Sequence, residues 1–333
     1  MSEHETSPTV LPTLRVRSLG VNYLTRSKGF WSRPRPISAL EGVSFDVRPG
    51  ETLGLVGESG SGKTTAGRAI LRRIDSATGQ IIFKGTDITT LKGEKLRRLR
   101  AGMQLVLQDP YASLNPRMRI LDAVAEPLIV HGVVKSAEAA RDQVVELLDL
   151  VGLPADAASR YPHAFSGGQR QRIGIARALA LKPDLVVADE PVSALDVSVR
   201  AQVVNLMQSL QRQLKLSYIF IAHDLSIVRH ISHRVAILYA GRLVEIADRD
   251  DIYERPRHPY TEALLSAVPV ANPALQRARE RIACEGEVPD IANPQPGCRF
   301  ASRCPLATQM CREKSPPLVE VAPGHSVACW HRS

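Results

Sequence analysis

Three apolar runs, each ending in chemically active residues, predict an α/β fold whose ligand chemistry lies along one edge of a parallel sheet. Thr52-Leu53-Gly54-Leu55-Val56 leads into Gly57-Glu58-Ser59-Gly60-Ser61-Gly62-Lys63-Thr64. Leu185-Val186-Val187-Ala188 leads into Asp189-Glu190, and Tyr218-Ile219-Phe220-Ile221-Ala222 into His223-Asp224. Short, continuous and β-leaning, such runs read as strands buried on both faces. Open α/β sheets receive ligands beyond the carboxyl ends of their strands.

The first run carries the strongest signal. Residues Gly57 to Thr64 spell G-x-x-x-x-G-K-T, and the segment from Thr64 and Thr65 to Leu71 reads as a helix. Strand, glycine loop and helix form the context in which this pattern cradles phosphate. Gly57, Gly60 and Gly62 let successive backbone N–H groups curl around an anion, Ser61 adds another, and the helix N-terminus adds its positive dipole end. In that reading Lys63 reaches the β- and γ-phosphates of a nucleoside triphosphate and the Thr64 hydroxyl ligates Mg²⁺. A chance match is expected in roughly one chain in a hundred of this length, and the strand–helix context lowers those odds.

Asp189 and Glu190 follow the second apolar run, where an aspartate can hold Mg²⁺ and the next carboxylate can polarise an attacking water. Alone, the pair would read as an ordinary acidic strand end. His223, alone, would read as a structural residue. Delivered to the same sheet edge as the glycine loop, it is placed to touch a γ-phosphate.

In this order the residues resemble the ATP-binding cassette (ABC) ATPases, nearly end to end. Gln108 matches the glutamine that senses Mg²⁺ and nucleotide and moves a helical subdomain. Ser166-Gly167-Gly168-Gln169 match the signature loop, preceded by Phe165 where many cassettes have Leu. Ser193-Ala194-Leu195-Asp196 match the loop that ends in a conserved-type aspartate, here Asp196, and His223 matches the switch histidine. Tyr23 matches the aromatic that stacks on adenine, although the segment Thr25 to Pro36 alters its spacing from the loop; a core tyrosine on the first strand is the other reading. The resemblance implies ATP and Mg²⁺ as cofactors, with Thr64, Gln108 and Asp189 around the metal. It also implies an ABC nucleotide-binding domain made of a P-loop core and a helical subdomain. Ser166 to Gly168 precede a helix expected over Gln169 to Ala180, a second anion-binding N-terminus. One cassette already holds its own γ-phosphate, so in this family the signature caps the ATP of a partner cassette. With one G-x-x-x-x-G-K-T in the chain, that partner is expected to be a second, related ATPase.

Within the superfamily the chain is similar to ATPases of dipeptide and oligopeptide importers, in particular the second of their two unlike subunits. The similarity rests on Gln108 to Pro116 (QDPYASLNP), Ser166 to Ala178 (SGGQRQRIGIARA), Asp189 to Ser198 (DEPVSALDVS) and His258-Pro259-Tyr260-Thr261. It implies two transmembrane permease subunits, an extracytoplasmic solute-binding protein and a peripheral position on the cytoplasmic face of the inner membrane. Importers of nickel, opines or glycosides have similar ATPases. Soluble ABC ATPases of DNA repair or translation carry two cassettes or a long coiled coil, and the chain has neither.

Composition agrees with such a subunit. The chain has 333 residues, 44% of them hydrophobic, ample for a core. No apolar stretch approaches a membrane span, and Met1 to Pro8 lack the pattern of a signal peptide. A net charge of +9 suits polyanions, yet no nucleic-acid motif accompanies it. The basic run Lys92 to Arg100, with Leu96 and Leu99 at helical spacing, reads as a solvated amphipathic helix. Residues 1–12 read as a disordered lead-in. The ATPase domain is expected over 13–255, with a helix-rich subdomain over about 91–164 that includes runs Leu121 to Val130 and Ala137 to Val151. Residues 256–333 read as a C-terminal extension.

That extension holds all five cysteines. Cys298, Cys304, Cys311 and Cys329 are spaced C-x₅-C-x₆-C-x₁₇-C among prolines and glycines. A segment so poor in apolar residues gains from a staple, and disulfides are disfavoured in a reducing cytosol. The spacing is not the paired C-x₂-C of structural zinc. A [4Fe–4S] cluster, zinc, or unliganded thiols remain as readings. The importer ATPases that the chain resembles share this cysteine pattern, which implies the cluster. Cys284 lies outside the set and reads as an ordinary thiol.

Overall fold

The computed structural model describes residues 11–24, 36–269, 282, 286, 289 and 295–333. Most of the expected lead-in, residues 25–35 of the basic segment, and Cys284 lie outside the described residues.

The three apolar runs form neighbouring strands of an eight-stranded sheet. In chain order its members are β3 (Thr52–Val56), β6 (Met103–Val106), β7 (Leu185–Asp189), β8 (Ser217–Ala222), β9 (Arg234–Tyr239), β10 (Arg242–Asp248), β11 (Val319–Ala322) and β12 (His325–Val327). Their spatial order is β11-β12-β10-β9-β3-β8-β7-β6. From β9 to β6 all pairings are parallel, whereas β10, β12 and β11 continue the sheet antiparallel. A second, antiparallel sheet, ordered β2-β1-β4-β5, comprises β1 (Leu14–Leu24), β2 (Pro36–Val47), β4 (Thr78–Phe83) and β5 (Thr86–Asp87).

The period-two alternation of a strand divides each apolar run between two cores. Leu53, Leu55, Val187, Ile219 and Ile221 face one core, shared with the second sheet and with α1 (Lys63–Ile70). Val186, Ala188, Tyr218, Phe220 and Ile237 face the other, which helices later in the chain cover. α1 touches β7 and β8 on one side and β1 and β2 on the other. Gly67 permits that approach: a Cβ there would stand 2.9 Å from Ile221 Cδ1 and 3.0 Å from Val187 Cγ1.

The expected helical region is interrupted. α2 (Gly93–Ala101) is the predicted basic helix, but β6 follows it as the edge strand of the main sheet. That strand is only four residues long and half-buried, too short for its period to be read from sequence. The helices proper are α3 (Ile120–Val130), α4 (Arg141–Leu150) and α5 (Gly167–Leu179), joined by one 3₁₀ segment between α3 and α4 and two between α4 and α5. α6 (Val197–Leu214), α7 (Leu225–Ile231), α8 (Arg249–Glu254), α9 (Pro259–Ser266) and α10 (Gln309–Glu313) complete the chain.

The C-terminal residues are stitched to the core by one buried carboxylate. Glu245, on β10, is fully buried; it accepts hydrogen bonds from the backbone N–H groups of Arg257 (2.7 Å) and His258 (3.0 Å). It also pairs with His325 Nε2 at 2.7 Å. His258 caps α9, its Nδ1 accepting from the Tyr260 N–H at 3.1 Å, with Pro259 at the first helical position. Tyr239, Tyr260 and Phe300 pack edge-on above this joint, with centroids 4.5–5.4 Å apart.

Removing Glu245 strands three donors in a dry site. Glu245→Ala is expected to cost about 3–5 kcal/mol, read as a lower urea midpoint and early proteolytic release of the C-terminal residues. Burial also holds His258 neutral, its pKa pushed down to about 4 from 6.5. The unfolded chain therefore takes up a proton between those values while the folded chain does not, so stability falls as pH drops from about 6.5 towards 4. His258→Asn, which retains a capping acceptor, is expected to flatten that slope in pH-dependent denaturation; an unchanged slope would assign the acid sensitivity to other groups.

Candidate active site

The glycine loop leaves β3 in the middle of the sheet, between β9 and β8, and returns tightly upon itself. A Cβ at Gly57 would overlap the Leu238 carbonyl oxygen, so only glycine fits. The Lys63 ammonium lies inside the loop and donates to the carbonyls of Gly57 and Glu58, each at 2.8 Å. Burial pushes its pKa down, opposed by the charges of Glu190, Asp189 and Glu58. The Ser61 hydroxyl is buried without a hydrogen-bond partner among the described residues. A cavity of about 370 Å³ opens over the loop, walled by Gly60, Gly62, Lys63, Thr64, Thr65, Gln108 and Glu190.

The parallel register brings the ends of the second and third runs beside this cavity: Glu190 lines it, and Asp189 and His223 touch the lining residues Thr64 and Glu190. Thr64 Oγ1 donates to Asp189 Oδ1 at 2.9 Å, two oxygen ligands of the kind Mg²⁺ takes. Burial raises the Asp189 pKa, countered by the Thr64 hydrogen bond and by Arg68. Glu190 follows with φ +47°, a left-handed conformation that costs a non-glycine residue about 1–3 kcal/mol. Its N–H bonds the Ile221 carbonyl of β8 at 3.0 Å, which over-determines the turn. The carboxylate is then gripped from both sides, by Gln108 Nε2 at 3.0 Å and His223 Nδ1 at 3.3 Å. The buried orphan hydroxyl, the cavity and the oxygen pair fit a triphosphate and its metal.

Tyr23 is 42% exposed at the end of β1, its hydroxyl 3.4 Å from Thr65 Oγ1. The core-tyrosine reading therefore falls: at that point β1 has run past its pairing with β4 and keeps only β2 beside it. Ser166-Gly167-Gly168-Gln169 stand apart. Ser166 caps α5, its Oγ accepting from Gln169 N–H (3.3 Å) while Gln169 Oε1 accepts from Ser166 N–H (3.0 Å). Ser166 and Gln169 are exposed and none of the four lines the cavity. Asp196, at the N-terminus of α6, is exposed as well.

The cysteine expectation is not supported. Cys298, Cys304, Cys311 and Cys329 are free thiols gathered in one lobe, close enough to influence one another electrostatically. Burial pushes the Cys298 and Cys329 thiols up and that of Cys304 up to about 11. Among the described residues no three His, Cys, Asp or Glu side chains meet as a metal-holding group, so the structure lends the iron–sulfur reading no support. The lobe borrows the core of its neighbour through the β11–β12 hairpin, the Glu245 joint and Phe300, apolar contact that its own composition did not suggest.

Two contributors were missed. The Tyr260 hydroxyl accepts from the Glu58 N–H at 2.9 Å, and Arg303 pairs with the Glu58 carboxylate. Both lie roughly two hundred or more positions from the loop they touch. The His258-Pro259-Tyr260-Thr261 motif was the available signal for the first; Arg303 had none.

Comparison with known proteins agrees with this geometry. Residues 40–193 match the family described as ABC transporter, and residues 244–311 match the oligopeptide/dipeptide transporter C-terminal region. The chain is 51% identical over 317 residues to the oligopeptide transport ATP-binding protein AppF of Bacillus subtilis (strain 168), covering 95% of this chain and 96% of AppF. It superposes on the ATP-binding cassette MJ0796, solved as a dimer in a post-hydrolysis state bound to ADP and Pi, with a TM-score of 0.62 and 26% identity, over 71% of this chain and 98% of that one. cbiO1 of Clostridium perfringens, part of the ABC transporter complex cbiONQ, shares the fold with a TM-score of 0.63 at 24% identity, over 74% and 92% of the two chains. The chain belongs to the ABC transporter family, among the ATPases that carry the oligopeptide/dipeptide transporter C-terminal region.

Proposed function

We propose that this chain is the ATPase subunit, of the second type, that drives uptake of di- and oligopeptides through a pair of membrane permeases. The observation that carries the reading is the gathering of Lys63, Thr64, Asp189, Glu190, Gln108 and His223 around one cavity, in a chain half identical to AppF. We assign residues 13–255 to the ATPase and 256–333 to the extension. Among the described residues no helix is long and apolar enough to cross a membrane, so contact with the bilayer falls to the permeases, on their cytoplasmic side, with a solute-binding protein outside.

Gly57 to Thr65 hold the phosphates, and Tyr23, exposed beside Thr65, is placed for the base. Thr64, Asp189 and Gln108 hold Mg²⁺, which when bound neutralises phosphate charge. Lys63 exchanges its bonds to the loop carbonyls for bonds to phosphate. Glu190, held by Gln108 and His223, orients and polarises the attacking water. Its strained backbone aims the carboxylate without further motion. His223, 60% exposed, is free to turn towards the γ-phosphate. Gln108 links this site to the loop Asp109 to Pro116, which carries exposed Tyr111 and suits a permease contact.

Ser166 to Gln169 cannot serve the cavity of their own chain. Their capped, exposed helix terminus supports a head-to-tail pair with a related ATPase, each signature closing the partner's ATP site.

Glu190→Gln is expected to retain ATP binding while cutting turnover by about two orders of magnitude or more, measured as phosphate release by the assembled transporter. Lys63→Ala should instead weaken binding itself. Near-wild-type hydrolysis by Glu190→Gln would remove Glu190 from the chemistry. The chain purified alone is expected to be a weak ATPase whose specific activity rises with protein concentration or added partner. Full activity in a dilute monomer would refute the shared-site arrangement.

A further inference from the structure

The C-terminal extension reaches into the glycine loop itself. Arg303, one residue before Cys304, forms a two-pronged ion pair with Glu58: its terminal nitrogens lie 2.9 and 3.1 Å from the two carboxylate oxygens. The Arg303 side chain is 11% exposed and that of Glu58 32%. The guanidinium also lies against the Tyr239 ring, 5.9 Å from its centroid, and donates to the Tyr239 hydroxyl at 3.3 Å. From the other side, the Tyr260 hydroxyl accepts the Glu58 N–H at 2.9 Å. Both main-chain and side-chain groups of one loop residue are thus held by residues beyond the ATPase core.

Glu58 is the only acidic residue between Gly57 and Thr64. Its charge acts on the Lys63 ammonium, so it lies within electrostatic reach of the place where phosphate binds. An unpaired carboxylate there repels a polyphosphate, and the repulsion grows as water is excluded. A bidentate arginine pair both cancels that charge and fixes its direction. The hydrogen bond to Glu58 is also the first cause of a further rise in the Arg303 pKa, so the cation is permanent.

We infer that Arg303 is a positioning residue for ATP binding: it neutralises and orients Glu58, making the C-terminal extension a working part of the nucleotide site rather than an appendage. The inference rests on reading Gly57 to Thr64 as the phosphate loop. It predicts an affinity effect that is carried by the Glu58 charge and is therefore reversible by removing that charge.

The test is the dissociation constant of Mg·ATP for the full chain, by titration calorimetry, with circular dichroism to confirm folding. Arg303→Ala is expected to weaken binding about five- to tenfold, and Arg303→Lys, which keeps the charge but not the fork, to recover part of the loss. The double variant Arg303→Ala/Glu58→Gln should bind within about twofold of wild type, because no uncompensated carboxylate remains. A merely structural arginine would not be rescued in this way. If Arg303→Ala does not fold, Arg303→Met, which keeps the aliphatic stem, carries the same comparison with Glu58→Gln. Wild-type affinity in Arg303→Ala, or a double variant as weak as that single one, overturns the inference. Lys63→Ala reports separately on the phosphate loop: if ATP binding survives it, that reading falls and the inference with it.

Discussion

Parallel pairing of β3, β7 and β8 decides where every reactive side chain emerges. Val56 stands beside Ala222, and Asp189 beside Ile221, so the three strands end at one level. The residues that follow them, Gly57, Glu190 and His223, are delivered to one edge of the sheet although about 130 and 30 positions separate them along the chain. Everything chemical in the site depends on this register. A slip of one residue would send Asp189 to the other face of the sheet, away from Thr64.

The site is also held under restraint before any nucleotide arrives. Lys63 is occupied by the loop's own carbonyls, and Asp189 by Thr64. Glu190 sits in a left-handed turn between Gln108 and His223. For the buried Lys63 and Asp189 these contacts satisfy groups that would otherwise be unpaired, a condition costing about 1–3 kcal/mol. Phosphate and metal can replace these partners with stronger, charge-assisted ones, so the protein exchanges one satisfied set for another instead of assembling a site from nothing.

The C-terminal extension is continuous with the ATPase rather than hung from it. Its hairpin extends the main sheet, Glu245 joins three of its donors, and Arg303 and Tyr260 reach Glu58. Burial of Phe300 among Tyr239 and Tyr260 supplies apolar contact that the segment's own composition lacks. Through Tyr260 and Arg303 the same joint borders the phosphate loop.

Local order alone determined the α/β class, the glycine loop, the two apolar strands that lead to Asp189 and His223, and the helix that follows Ser166. Each of these is written in residues that are contiguous, and strand burial, backbone freedom of glycine and helix capping are short-range physics. The four-residue strand β6, too short to show a period, was hidden inside an apparently helical region. Tyr23, which sequence could place either in the core or on the surface, stands exposed where β1 has run past β4 and pairs with β2 alone. The extension's role was hidden too: composition suggested a segment needing a metal or covalent staple, whereas tertiary structure supplied a neighbouring sheet edge and an aromatic cluster. The pairing of Arg303 with Glu58 spans 245 positions and has no local signature. Only the folded chain could decide it, because ion pairs and shared cores depend on distance in space and not on order in the sequence.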